Sequence, residues 1–192
     1  MENVNQPLAG LCNGVDVDKL VGAIEGVKSD PANGALVFRT KTTWHGGFRA
    51  THTTQRATVG RDTTEHLVNH NVNSDEPTTI LGADTGISPS EMLITALGAC
   101  LSVGYAANAA GMGINIQELS LDIEYIGDLQ GFMNLNNVRP GASEIRVKTH
   151  IKADAPAAKL KELHDYVNSH SPQWDSIANP VKVRSELIVK SK

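Results

Sequence analysis

The stretch SPSEMLITALGACLSVGYAANAAGMG, residues 88–113, decides how the rest of the chain is read. Ser88 stands as an N-cap, and Pro89 suits the first helical position, where a missing N–H costs nothing. Glu91 follows the cap by three residues, the spacing of a capping box. No charge occurs from Met92 to Ala110, and Gly111 and Gly113 close the run. These signals predict a long central helix that is apolar all round and needs burial on every side. The length approaches the ~20 residues of a membrane span. Ala, Gly and Ser dominate rather than Leu or Ile, however, and no basic flank is present, so a core helix is expected and not a membrane one.

Upstream, DVDKLVGAIEGVKSDP (16–31) predicts a helix capped by Asp16 or Asp18, with Val17, Leu20, Val21 and Ile24 at helical spacing. From Ala35 the pattern turns to period two through Trp44, and Gly46 and Gly47 read as a turn. Residues 48–60 and 66–72 are expected to complete an antiparallel meander, and 73–89, rich in Pro, Gly and Asp, to be loop. Downstream, Ile116–Ile126 and Glu144–Lys152 alternate as half-buried strands. Leu160, Leu163, His164 and Val167 mark one face of a helix over 155–168. Residues 170–180 read as loop and 181–190 as a closing strand. Strands and helices in this order, without a βαβ series, predict an α+β fold. Residues 1–34 form an N-terminal extension with a short helix, ahead of a main domain over 35–192.

The 192 residues are 40% hydrophobic and 20% charged, with a net charge of −4. Scattered Lys and Arg give no footprint for phosphate backbones, so nucleic acid is not an expected partner. The first residues show no basic start, apolar run and cleavage site, which points to the cytoplasm. Two cysteines, Cys12 and Cys100, make no disulfide framework and are expected to be free thiols.

Cys100 shares its helical stripe with Leu93, Ala96, Leu97, Val103, Gly104 and Ala107, so spacing alone describes a small buried hydrophobe. It lies about three turns past Pro89, beyond the reach of the helix dipole. A reactive thiolate there requires a cation.

The segment SDEPTTILGADTGISPSEMLITALGACLSVGYAANAAGMGI (74–114) resembles the central motif of the OsmC and organic-hydroperoxide-resistance superfamily. The similarity continues through YIGDLQGFMNLNNVRPGASEIRV (125–147) and HSPQWDSIANPVKV (170–183), and the start at Asn13 resembles a longer subfamily. This resemblance implies antiparallel sheets wrapped around long central helices in an intertwined homodimer, with 35–192 as the OsmC-like domain. It also implies that Cys100 attacks an organic hydroperoxide and passes through a sulfenic acid. The family's second cysteine has no counterpart; the chain carries Ser169 and Ser171 there. Its glutamate directly after the proline is displaced as well, because Ser90 follows Pro89 and Glu91 comes next.

The resemblance makes Cys100, Arg49 and Glu91 the candidate catalytic residues. Arg49 matches an arginine supplied by the first hairpin, with Arg56 and Arg61 as alternatives, and the capping box already accounts for Glu91. Cys12, ahead of the first helix in a segment expected to be mobile, is a remote candidate for a substitute resolving thiol. His66 and His70 lack companion ligands, so no metal is expected, and no cofactor is implied. His164 and His170 read as packing residues, and Trp174 as a pocket wall. Two functions follow. One is reduction of organic hydroperoxides by Cys100 with an external thiol reductant; the other is a noncatalytic dimer that binds a small apolar ligand, with Cys100 structural.

Overall fold

The computed structural model describes residues 11–190. Helix α1 (Val17–Ser29) starts where expected, with the Asp16 carboxylate accepting the Lys19 N–H at 3.0 Å. Ahead of it, Cys12 and Val15 bridge each other, and Asn13 clamps the main body. Its amide donates to the Ile114 carbonyl at 2.9 Å, and its Oδ1 accepts the Ile116 N–H at 2.8 Å. The segment holding Cys12 is therefore tied down, contrary to the expectation of a mobile one.

The expected first strand divides into β1 (Leu36–Val37) and β2 (Thr40–Trp44). Likewise 48–60 divides into β3 (Ala50–Thr54) and β4 (Ala57–Val59). The register explains the break. Between the pairs Val37↔Thr58 and Thr40↔Thr54, one strand takes three steps and the other four. The extra residue at 55–56 is a bulge that bends the ladder, which alternation alone does not reveal. β4 pairs onward with β5 (Asp62–Thr64), while β3, paired on one side with β2, pairs on the other with β6 (Asn71–Ser74). The strand expected over 66–72 is thus mostly loop, with pairing only from Asn71.

Helix α2 (Pro89–Gly111) has the predicted start: the Ser88 hydroxyl accepts the Glu91 N–H, and the Glu91 carboxylate accepts the Ser88 N–H at 2.9 Å. Leu97, Leu101, Tyr105 and Ala109, four residues apart, form its buried face. They pack against Leu163 and Val167 of α4 (Ala157–Ser169) and against the hairpin of β7 (Ile116–Ile126) and β8 (Glu144–Ala153). Gly104 permits the close approach of α4, since a Cβ there would stand 3.0 Å from Val167 Cγ1. The opposite side of α2 is open in the single chain, where Val103 is 69% exposed. Burial on every side, expected from composition, is thus met on one side only.

A short helix α3 (Leu129–Phe132) interrupts the β7–β8 connection. A second one, α5 (Pro172–Ala178), replaces the loop expected over 170–180, starting from Ser171 as N-cap. Residues 181–190 form no strand among the described residues, and Val183, Leu187 and Val189 are exposed. Their alternation is that of a strand, but no edge of the same chain receives them.

Candidate functional site

Cys100 lies midway along α2, partly buried, with its Sγ 3.2 Å from the Oγ of Ser171. Ser171 is 5% exposed and caps α5, its oxygen accepting the Trp174 N–H at 3.2 Å. That bond fills one acceptor direction of the hydroxyl, leaving its own proton free to point at sulfur. When the sulfur is a thiolate, Ser171 is necessarily the donor. The sequence carries a signal for the helix start though not for the contact: Ser171-Pro172 repeats the Ser-Pro start of Ser88-Pro89.

A cavity of about 520 Å³ opens between the N-terminal half of α2, α5 and the start of β8; Leu97 and Trp174, each three residues from Cys100 and Ser171 respectively, line it, and the pair itself does not. Leu93, Leu97, Val147, Ile177 and Trp174 supply apolar walls. Leu93 and Leu97 precede Cys100 by seven and three residues, so the cavity runs along the stripe of α2 that carries the thiol. Trp174 forms the pocket wall expected of it. The volume is in the range of small-molecule sites.

The other candidates lie apart. Arg49 is exposed at the end of the β2–β3 turn, its backbone N–H donating to the Gly46 carbonyl at 3.3 Å. The sheet that carries it packs on its own strands rather than on α2. Arg56 pairs with Glu65, and Arg61 holds Asp30 at 2.6 Å, so both are engaged on the surface. Among the described residues, no guanidinium hydrogen bonds to Cys100. Glu91 closes the capping box, and the Ser88 backbone N–H, with the Ser88 hydroxyl second, holds its carboxyl below the usual value.

Cys12 is corrected from candidate resolver to a residue of the far end. Its Sγ approaches the Ile114 carbonyl at 3.7 Å and Asn115 Oδ1 at 3.9 Å. From Cys100 to the end of α2 at Gly111 the helix rises about 16 Å, which separates the two thiols. His66 and His70 meet ring edge to face at 5.5 Å. His164 is half-buried beside the core with polar partners: Nδ1 lies 2.5 Å from the Tyr105 hydroxyl and Nε2 lies 2.9 Å from Asn168 Nδ2. Burial pushes the Tyr105 phenol up, and the Asp165 charge adds to this. His170 stacks on Tyr166 at 4.0 Å.

At the entrance to α2, Asp75 is 1% exposed and organises the preceding loop. Its carboxylate accepts the Thr85 hydroxyl at 2.7 Å and the backbone N–H groups of Glu76, Ala83 and Thr85. Burial, followed by the charges of Glu91 and Asp75, pushes the neighbouring Glu76 carboxyl up.

The family model described as OsmC-like protein matches residues 82–186, which contain α2, the β7–β8 hairpin, α4 and α5. Among solved structures, a protein from Psychrobacter arcticus described as an osmotic stress induced and detoxification response protein is similar, with 18% identity and a TM-score of 0.55. The match covers 73% of this chain and 88% of that one. An OsmC-like protein from Mycoplasma pneumoniae is similar over 75% and 89% of the two chains, with 16% identity and a TM-score of 0.55. An organic hydroperoxide resistance protein OsmC from Legionella pneumophila matches over 73% and 88%, with 15% identity and a TM-score of 0.52. At these identities the likeness is one of fold. No curated protein matches the chain.

Proposed function

Because the chain belongs to the OsmC-like family, by its match over residues 82–186, we propose that it reduces organic hydroperoxides with Cys100 as the single attacking thiol. The observation that carries this reading is the hydroxyl of Ser171 at 3.2 Å from the sulfur, on the same two helices whose Leu93, Leu97 and Trp174 line an apolar cavity. The Cys100 thiolate attacks the distal oxygen of ROOH, the O–O bond breaks, and the leaving alkoxide takes a proton to become ROH. Cys100 is then a sulfenic acid, the reversible rung of thiol oxidation. An external thiol displaces water from it to form a mixed disulfide. A second external thiol releases Cys100 as thiol and leaves as the oxidised disulfide. Ser171 cannot close an internal disulfide, so both reducing equivalents come from outside the chain.

The working unit in this proposal is a homodimer in the cytoplasm. The open side of α2, with Val103, and the unpaired run 181–190 are the surfaces that a second copy would cover. Arg49, whose sheet does not pack on its own α2, would then reach the thiol of the second copy and hold its charge. The test is stopped-flow consumption of cumene hydroperoxide by the full chain, compared with Cys100→Ser and Cys12→Ser. Oxidation faster than that of free cysteine, lost only in Cys100→Ser, is expected; oxidation no faster than free cysteine overturns the enzyme.

One observation favours the second reading. Within the chain, the polar partner of Cys100 is a neutral hydroxyl, and without a cation the thiol can be a packing residue beside a binding cavity. The same experiment separates the two.

A further inference from the structure

The cavity that runs along α2 at Leu93 and Leu97 has apolar walls, but its lining also includes two charged side chains, Arg139 and Glu144. Their charges are not equally available. Glu144 accepts two bonds from Arg146, at 2.9 Å from Nε and 2.8 Å from Nη2, and this pairing holds its carboxyl below the usual value. A fork-to-fork pair of this kind uses the acceptor face of the carboxylate and cancels its charge locally. Arg139 makes no ion pair among the described residues, whereas Arg56, Arg61 and Arg146 hold Glu65, Asp30 and Glu144. The cavity is therefore left with one uncompensated positive charge.

The guanidinium of Arg139 is folded over the wall. At Gly141, which also lines the cavity, an added Cβ would stand 3.4 Å from Arg139 Nε and 3.7 Å from Nη2. The planar head thus lies in van der Waals reach of position 141 at the cavity while the residue stays exposed to solvent. A flat fork of donors above an apolar trough is suited to an oxyanion attached to an alkyl or aryl body.

We propose that this cavity binds an organic monoanion, with an apolar body between α2 and α5 and a carboxylate held by Arg139, making Arg139 a specificity-determining residue. A neutral molecule of the same shape gains the walls but not the fork. Binding depends on the cavity and not on sulfur chemistry, so it goes beyond the peroxidase reading and stands or falls separately from it.

The test is equilibrium dialysis of the full chain with radiolabelled decanoate and, in parallel, decanol. Saturable decanoate binding is expected, weakened about ten-fold or more by Arg139→Gln and much less by Arg139→Lys, which keeps the charge. Decanol affinity should change less than about two-fold in either variant, as expected where the apolar walls are intact. Cys100→Ser should bind decanoate like the parent while losing peroxide reduction. Absence of saturable decanoate binding overturns the proposal. Equal weakening of both ligands by Arg139→Gln also overturns it, by assigning Arg139 to the shape of the cavity rather than to recognition of charge.

Discussion

The Sγ of Cys100 lies 3.2 Å from the Oγ of Ser171, and the two come from elements 71 residues apart in the chain. A sulfur at position 171 would sit on a longer bond than the oxygen does, and a disulfide of about 2.0 Å would then need only a small rotation. Ser171→Cys is therefore expected to form an intramolecular disulfide with Cys100 on treatment with one equivalent of cumene hydroperoxide. The wild-type protein should stop at a sulfenic acid that dimedone traps. Intact-mass and peptide mapping read both outcomes. A Ser171→Cys protein that still traps dimedone and shows no crosslink contradicts the assigned geometry.

Glu91 tests whether a carboxylate at the start of α2 serves structure or chemistry. Glutamine also closes a capping box, so Glu91→Gln should keep both the helix start and peroxide reduction. Ser88→Ala should lose about 1 kcal/mol of stability, because a 7% exposed cap is removed and the Glu91 N–H is left without its partner. Thermal unfolding and the stopped-flow rate separate the two roles. A large loss of rate in Glu91→Gln at unchanged melting temperature would make Glu91 catalytic.

The parts legible in the sequence are those fixed by local chemistry. The Ser88-Pro89-Glu91 start, the Asp16 cap and the alternation of β7 and β8 each depend on residues within one or two turns, and each appears where expected. The division of the first hairpin was not legible, because the extra residue at 55–56 is set by pairing between strands, which the periodicity of a single strand does not report. The run 181–190 has the pattern of a strand without an edge to receive it, so periodicity names an element that one chain does not build. At the site, the position of Cys100 was legible and its partner was not. Ser171 was visible only as a departure from a family pattern, although its Ser-Pro cap announced α5. Arg139 gave no signal, since its availability depends on Glu144 being taken by Arg146.

Gly104 provides a packing test with a change of sign. Alanine in place of glycine inside a helix gains about 1 kcal/mol of propensity. Here the new Cβ would stand 3.0 Å from Val167 Cγ1, and Val167 is 2% exposed, so overpacking at about 1–3 kcal/mol outweighs the gain. Gly104→Ala should therefore destabilise the wild type, yet stabilise a Val167→Ala background in which the clash is removed. Urea unfolding of the four proteins measures the cycle. Additive effects would show that α2 and α4 do not meet closely at this point.

Asp75 predicts how the entrance to α2 responds to acid. Its carboxyl is held below the usual value first by the Thr85 hydroxyl, with the backbone N–H groups of Glu76, Thr85 and Ala83 adding and burial opposing. A carboxyl depressed in the folded state contributes stability that is fully present above its unfolded value, about 3.9, and is lost as pH falls through the lower folded value. Asp75→Asn, which cannot carry this charge, should melt several degrees below the wild type at neutral pH. The two melting curves should converge as the pH is lowered below about 3.9, where the wild-type carboxylate takes up its proton. The variant should also show faster hydrogen exchange at the Ala83 and Thr85 amides, which lose their charged acceptor. Melting temperatures that stay parallel from neutral to acid pH would mean that the loop before α2 is organised by something other than the charge on Asp75.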